Sequence, residues 1–75
     1  ITQIDAKTKL QEHSLKIFKV LPIYKLLSNT GPRHKPLFKV AVKLKDTKFF
    51  MAEGAAKKDA EQNAAYLCLE SILKK

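Results

Sequence analysis

A helix, three antiparallel strands and a second helix form the arrangement that this sequence predicts. The class is α+β, in the order α-β-β-β-α, with both helices packed on one face of a three-stranded sheet. Three observations lead there. Residues 6–18 carry Leu10, Ser14, Ile17 and Phe18 at helical spacing. Residues 37–45 alternate strictly, with Phe38, Val40, Val42 and Leu44 set against Lys39, Ala41, Lys43 and Lys45. Residues 55–73 return to the helical period, with Ala60, Ala64, Ala65, Cys68, Leu69 and Ile72 in one stripe. An antiparallel meander needs one covered face, and two flanking helices can cover it.

In chain order, residues 1–4 read as the end of a linker and residues 5–75 as one domain, because 75 residues are too few for two cores. The chain opens on Ile1 rather than methionine, so it is read as a piece of something longer. Asp5 suits the N-cap of the first helix, Ala6–Phe18. Pro22 closes the connection. Ile23–Ser28 then reads as a strand with Tyr24 and Leu26 on one face, and Asn29-Thr30-Gly31-Pro32 as a turn ending near Pro36. The second strand is Leu37–Lys45. Lys45-Asp46-Thr47 turns the chain into a third strand, Lys48–Glu53, and Gly54 separates it from the last helix, Ala55–Leu73.

Composition narrows the function. Fifteen Lys+Arg against seven Asp+Glu give a net charge of +8 and a pI near 9.8, which points to an anionic partner. No apolar run approaches the ~20 residues that span a bilayer, and no signal-peptide pattern opens the chain, so a membrane is the weakest of the anionic readings. One cysteine, Cys68, excludes an internal disulfide and suits a reducing, cytoplasmic setting. His13, His34 and Cys68 lie far apart, without metal-ligand spacing. All the basic residues but Arg33 are lysines, which hold phosphate as point charges rather than reading base edges bidentately. Seven scattered carboxylates form no acidic cluster of the metal-binding kind and no Ser-His-Asp arrangement is evident, which argues against a self-contained enzyme.

Where the charge sits is less direct. Residues 25–51 hold seven basic groups and one acidic. Alternation nevertheless places Lys39, Lys43 and Lys45 on the outer sheet face, where a solvated lysine surface keeps sheets from associating. Lys57 and Lys58 fall in the first turn of the last helix, where the helix dipole disfavours cations. They are either an anion site at exposed N–H groups or a solvated turn offset by Asp59 and Glu61. The strand spacing of Tyr24, Phe38, Phe49 and Phe50 reads as core rather than as a base-stacking platform. Cys68 reads as a small core residue, and His13 as packing or surface.

These residues resemble the double-stranded RNA-binding domain family over almost the whole chain. "DAKTKLQE" (Asp5–Glu12) is similar to the family's first-helix motif. "PIYKLLSNTGPRHKPLFKVAV" (Pro22–Val42) resembles its first strand, Gly-Pro-x-His loop and second strand, and "EGAAKKDAEQNAA" (Glu53–Ala65) the Lys-Lys start of its last helix. Within the family, "DAKTKLQE" and "DAEQNAA" most resemble the C-terminal domain of bacterial ribonuclease III. The resemblance implies a binding module for duplex RNA, non-catalytic in itself and without a cofactor of its own. Thr8, Gln11 and Glu12 would meet one minor groove, and Gly31, Pro32, Arg33 and His34 the next. Lys57 and Lys58 would straddle the major groove between. If the parent is ribonuclease III, a Mg²⁺-dependent nuclease domain lies upstream and supplies a homodimer. Ala55 stands where many members have Lys or Arg, so one phosphate contact is expected to be missing. Glu61 replaces the third lysine of many eukaryotic members, although an acidic residue there is common in the bacterial nuclease, and binding by the isolated domain is expected to be weak. The other reading is a module of a non-enzymatic adaptor that works through protein contacts.

Overall fold

The computed structural model describes residues 5–73; the linker assigned to residues 1–4 lies outside them. The order is α1 (Ala6–Phe18), β1 (Ile23–Thr30), β2 (Leu37–Lys43), β3 (Phe50–Gly54) and α2 (Lys57–Leu73). The strands form one antiparallel sheet, β1-β2-β3, with β2 in the centre.

α1 starts where the sequence allows a cap. Asp5 is extended (φ −83°, ψ 90°), and its carboxylate accepts the Thr8 N–H at 3.3 Å and the Thr8 hydroxyl at 2.7 Å. The helix stops at Lys19, whose left-handed backbone (φ 65°) lets its N–H reach the Ser14 and Leu15 carbonyls. The buried row is Ala6, Leu10 and Ser14, continued by Phe18. Ile17, expected on that face, is 54% exposed. A strict i, i+4 row selects Phe18, and its neighbour lies about 100° round the helix. Ser14 is fully buried yet satisfied, since its hydroxyl donates to the Val20 carbonyl and ties down the chain leaving the helix.

The core joins α1, the sheet and α2 in one cluster: Ala6 and Leu10, Val42 and Leu44, and Ala64, Ala65 and Cys68, with Phe18, Tyr24, Phe50, Leu69 and Ile72 packed around them. Alanine at 60, 64 and 65 lets α2 lie close to its neighbours. Register follows the pleat on that face, with Val40 between Leu26 and Ala52, and Val42 between Tyr24 and Phe50.

Element ends differ from the sequence reading, for local reasons. β1 runs two residues further, because Asn29 and Thr30 pair with Phe38 and Leu37 across an extra residue, Leu27. β2 ends at Lys43, since Leu44 gives its N–H to the Thr47 hydroxyl (2.9 Å) and its carbonyl accepts the Thr47 N–H (3.2 Å). Lys45 therefore sits in a turn completed by Asp46 (φ 66°), not on the outer sheet face. Phe49 precedes β3 and is 42% exposed, so it is not core. Ala41 is only 2% exposed although it shares the lysine face, being a small residue between Lys25 and Met51 on the central strand.

Candidate nucleic-acid interface

Three exposed segments carry the candidate residues. On α1, Thr8, Gln11 and Glu12 are exposed, away from the Ala6-Leu10-Ser14 row. The Thr8 hydroxyl donates to Asp5, so Thr8 serves the cap and keeps only acceptor lone pairs for a ligand.

The second segment is the β1–β2 loop, displayed by the Thr30–Leu37 pair that closes the hairpin. Gly31 has φ +92°, and a Cβ there would lie 2.6 Å from the Lys35 carbonyl oxygen, so both conformation and space require glycine. The Lys35 N–H donates to the Pro32 carbonyl at 2.9 Å and closes a turn that presents Arg33 and His34 to solvent.

The third segment is the start of α2. The Ala60 N–H bonds the Ala56 carbonyl at 2.9 Å, which makes Ala56 the N-cap. Alanine has no oxygen to offer the first-turn N–H groups, so this is a poor cap by stability alone. Lys57 and Lys58 are the first two helical residues and both are exposed. The turn thus presents uncapped N–H donors beside two ammonium groups. Its place is set by backbone contact: a Cβ on Gly54 would lie 2.6 Å from the Ala60 nitrogen and 2.9 Å from the Asp59 carbonyl carbon. The Asn63 amide reinforces this by donating to the Glu53 carbonyl at 2.8 Å.

The fold joins these segments in a definite order. A shallow cleft lined by Thr30, Gly31, Leu37, Glu53, Gly54 and Ala55 sets the loop base against the β3–α2 junction, two residues before Lys57. On the other side α2 is clasped to α1. The Gln62 amide donates to Asp5 at 2.9 Å, its oxygen accepts the Lys7 N–H at 3.2 Å, and the Lys7 ammonium pairs with Glu61 at 2.7 Å. The α2 lysines therefore lie between the loop and α1. The Thr8 and Gln62 hydrogen bonds hold the Asp5 carboxyl below its ordinary 3.8. Tyr24 lies beneath the clasp, with the Lys7 ammonium 5.4 Å from its ring centre. Its hydroxyl is buried without a partner. Burial first, then the negative charge of Glu61, pushes the phenol up to about 12.

Lys7, Glu61 and Gln62 are the residues that sequence reasoning missed or misread. Glu61, read from sequence as an offset to Lys57 and Lys58 on a solvated turn, is instead an ion-paired tie between helices. Partners 54 to 57 residues apart leave no local pattern. Among the described residues, no three His, Cys, Asp or Glu groups come together to hold a metal ion, and no helix is long and apolar enough to cross a membrane.

An α-β-β-β-α domain with this loop and this Lys-Lys helix start is the double-stranded RNA binding motif; that family's model matches residues 6–72, and the chain belongs to the family. More narrowly, the chain is 87% identical, over its whole length, to 34% of the Ribonuclease 3 of Pelagibacter ubique. It is 48% identical, over 95% of its length, to 29% of the Ribonuclease 3 of Leptospira interrogans. The chain thus spans about a third of the curated relatives it matches. Among solved structures, a chain of Arabidopsis HYL1, described in relation to miRNA processing, superposes with a TM-score of 0.77 at 36% identity, covering 92% of this chain and 97% of that one. The second dsRBD of DRB4 gives 0.67 at 33% identity, covering 96% and 100%.

Proposed function

We propose that this domain binds double-stranded RNA with little regard to sequence, as the substrate-binding module of a ribonuclease III-like endoribonuclease. The observation that carries the reading is the uncapped, dilysine start of α2 held between the Gly31–His34 loop and α1. A-form RNA offers a shallow minor groove lined with 2′-hydroxyls and a major groove too narrow for side chains. A reader of that surface needs polar groups for sugars on either side of a cationic group for phosphates. Gln11 both donates and accepts, and Glu12 accepts from a 2′-hydroxyl or amino group. Arg33 and His34, with the loop backbone, take the second minor groove. Lys57, Lys58 and the α2 N–H groups take the phosphates between. B-form DNA lacks the 2′-hydroxyl, and this gives the discrimination.

The parent we read as a Mg²⁺-dependent double-strand-specific nuclease, homodimeric and cytoplasmic, with its metal-binding carboxylates outside this chain. The identity to two Ribonuclease 3 proteins supports the enzyme. Cys68, a buried free thiol that burial pushes up to about 11, supports a reducing setting. The adaptor reading draws on HYL1 and DRB4 as structural neighbours. A titration with one ~16–20 bp sequence, offered as RNA duplex, DNA duplex and single-stranded RNA, tests the ligand. The expected outcome is clear preference for the RNA duplex, and binding of unrelated RNA duplexes within a few-fold. Equal affinity for RNA and DNA duplexes would overturn it.

A further inference from the structure

Glu61 stands one helical turn after Lys57 and Lys58, at i+4 and i+3, where an acidic side chain can reach either lysine along the helix surface. Here it does not. Its carboxylate is drawn to the other helix, 2.7 Å from the Lys7 ammonium, with only 16% of the side chain exposed. That is the single ion pair among the described residues, and Lys57 and Lys58 take part in none. The surrounding backbone is pinned as well, because Gln62 bonds both the Lys7 N–H and Asp5. The Lys7 ammonium also lies over the Tyr24 ring, 5.4 Å from its centre, which adds a second contact holding it at this place.

We infer that Lys7 is a positioning residue for RNA binding: it sequesters Glu61, and so leaves Lys57 and Lys58 to the phosphates. This inference rests on the duplex-RNA reading above. Without Lys7, the Glu61 carboxylate has no partner on α1. It swings back along α2, neutralises a phosphate-binding lysine and repels the nucleic acid. Lys7 acts through Glu61, not by touching RNA.

A double-mutant cycle tests this, with Lys7→Met, Glu61→Gln and the pair together titrated against a 20-bp RNA duplex. Lys39→Gln, one charge removed from the helix-free sheet face, sets the baseline for net charge. Lys7→Met should bind about three- to fivefold more weakly at ~0.15 M salt, with a salt slope smaller by about one. Glu61→Gln alone should stay within about twofold of wild type, and added to Lys7→Met it should restore both affinity and slope. Loss that persists in the double variant would place Lys7 on a phosphate and overturn the inference. So would purely additive effects of the size seen for Lys39→Gln, or a severalfold loss in Glu61→Gln alone.

NMR of the free protein separates this outcome from failure of the RNA reading. The Lys57 and Lys58 ammonium signals should shift in Lys7→Met and return in the double variant, with no nucleic acid present. Unshifted signals would also overturn the inference. Wild type that shows no RNA-duplex preference would instead remove the function proposed above. Circular dichroism confirms folding, and the Glu61→Gln arm stands even where Lys7→Met is unstable.

Discussion

The lysines of β2 and the lysines that open α2 carry the same charge in opposite circumstances. On and after β2 they lie along the sheet and its turn. Lys39 stands opposite Glu53 in the ladder, Lys43 lies 5.4 Å from the centre of the Phe49 ring, and Lys45 sits in the β2–β3 turn. Lys39 and Lys43 are themselves half-buried, their stems covering the sheet. At the start of α2, Lys57 and Lys58 are exposed, the N-cap is an alanine, and Glu61, one turn on, is paired with the other helix. Charge density marks the first region; unpaired charge beside fixed N–H donors marks the second. The difference teaches that a binding surface is found by asking which cations the fold leaves without work.

The comparison can be broken most severely at Gly54. Replacing it with Val drives a side chain into the α2 backbone and should lower stability by about 3 kcal/mol. Thermal unfolding should register the loss, and affinity should fall as the dilysine turn is displaced. Wild-type stability in this variant would mean that β3 does not set the start of α2.

Next in size is the removal of the α2 lysines. Lys57→Ala with Lys58→Ala should weaken binding to every RNA duplex by about 10- to 100-fold, or ~1.4–2.8 kcal/mol. It should also flatten log K against log salt by about one unit per lysine. The fold should survive, because an unfavourable charge–dipole interaction is removed.

Asp5→Ala sharpens the clasp side. It removes an N-cap and the bond to Gln62, so the melting temperature should drop at pH 7. Because the folded carboxyl lies below its ordinary 3.8, its contribution is present above that value and lost as pH falls through the folded one. The gap between wild type and variant should therefore close in acid.

Neutralising Lys39, Lys43 and Lys45 to Gln removes more charge than the α2 pair but should cost less than about threefold at ~0.15 M salt, where the Debye length is about 8 Å. A greater loss than that of the α2 pair would move the binding surface to the sheet. Smallest at neutral pH is Tyr24→Phe, which should be silent or slightly stabilising because the hydroxyl is buried without a partner. In wild type the unfolded phenol ionises near 10.0 and the folded one near about 12, so stability should fall as pH rises through that window. The phenylalanine variant should lack that part of the fall.

Much of this was legible in the residues alone. The five elements and their order follow from period and punctuation, because helix and strand repeats are properties of neighbouring residues. The Asp5 cap, the Gly31 turn and the place of Lys57 and Lys58 in the first turn of α2 are equally local. So is membership of the duplex-RNA family, which its motifs carry. Tertiary structure decided what depends on residues far apart in the chain. Ile17 faces solvent and Phe18 the core because packing against α2 selects one row of α1. Leu44 ends β2 because Thr47 takes its backbone groups. Glu61, by sequence an offset to the α2 lysines, becomes an ion pair with the other helix because folding brings Lys7 within 2.7 Å across 54 residues. A carboxylate's charge can be read from sequence, but the partner that neutralises it is fixed only when two helices meet.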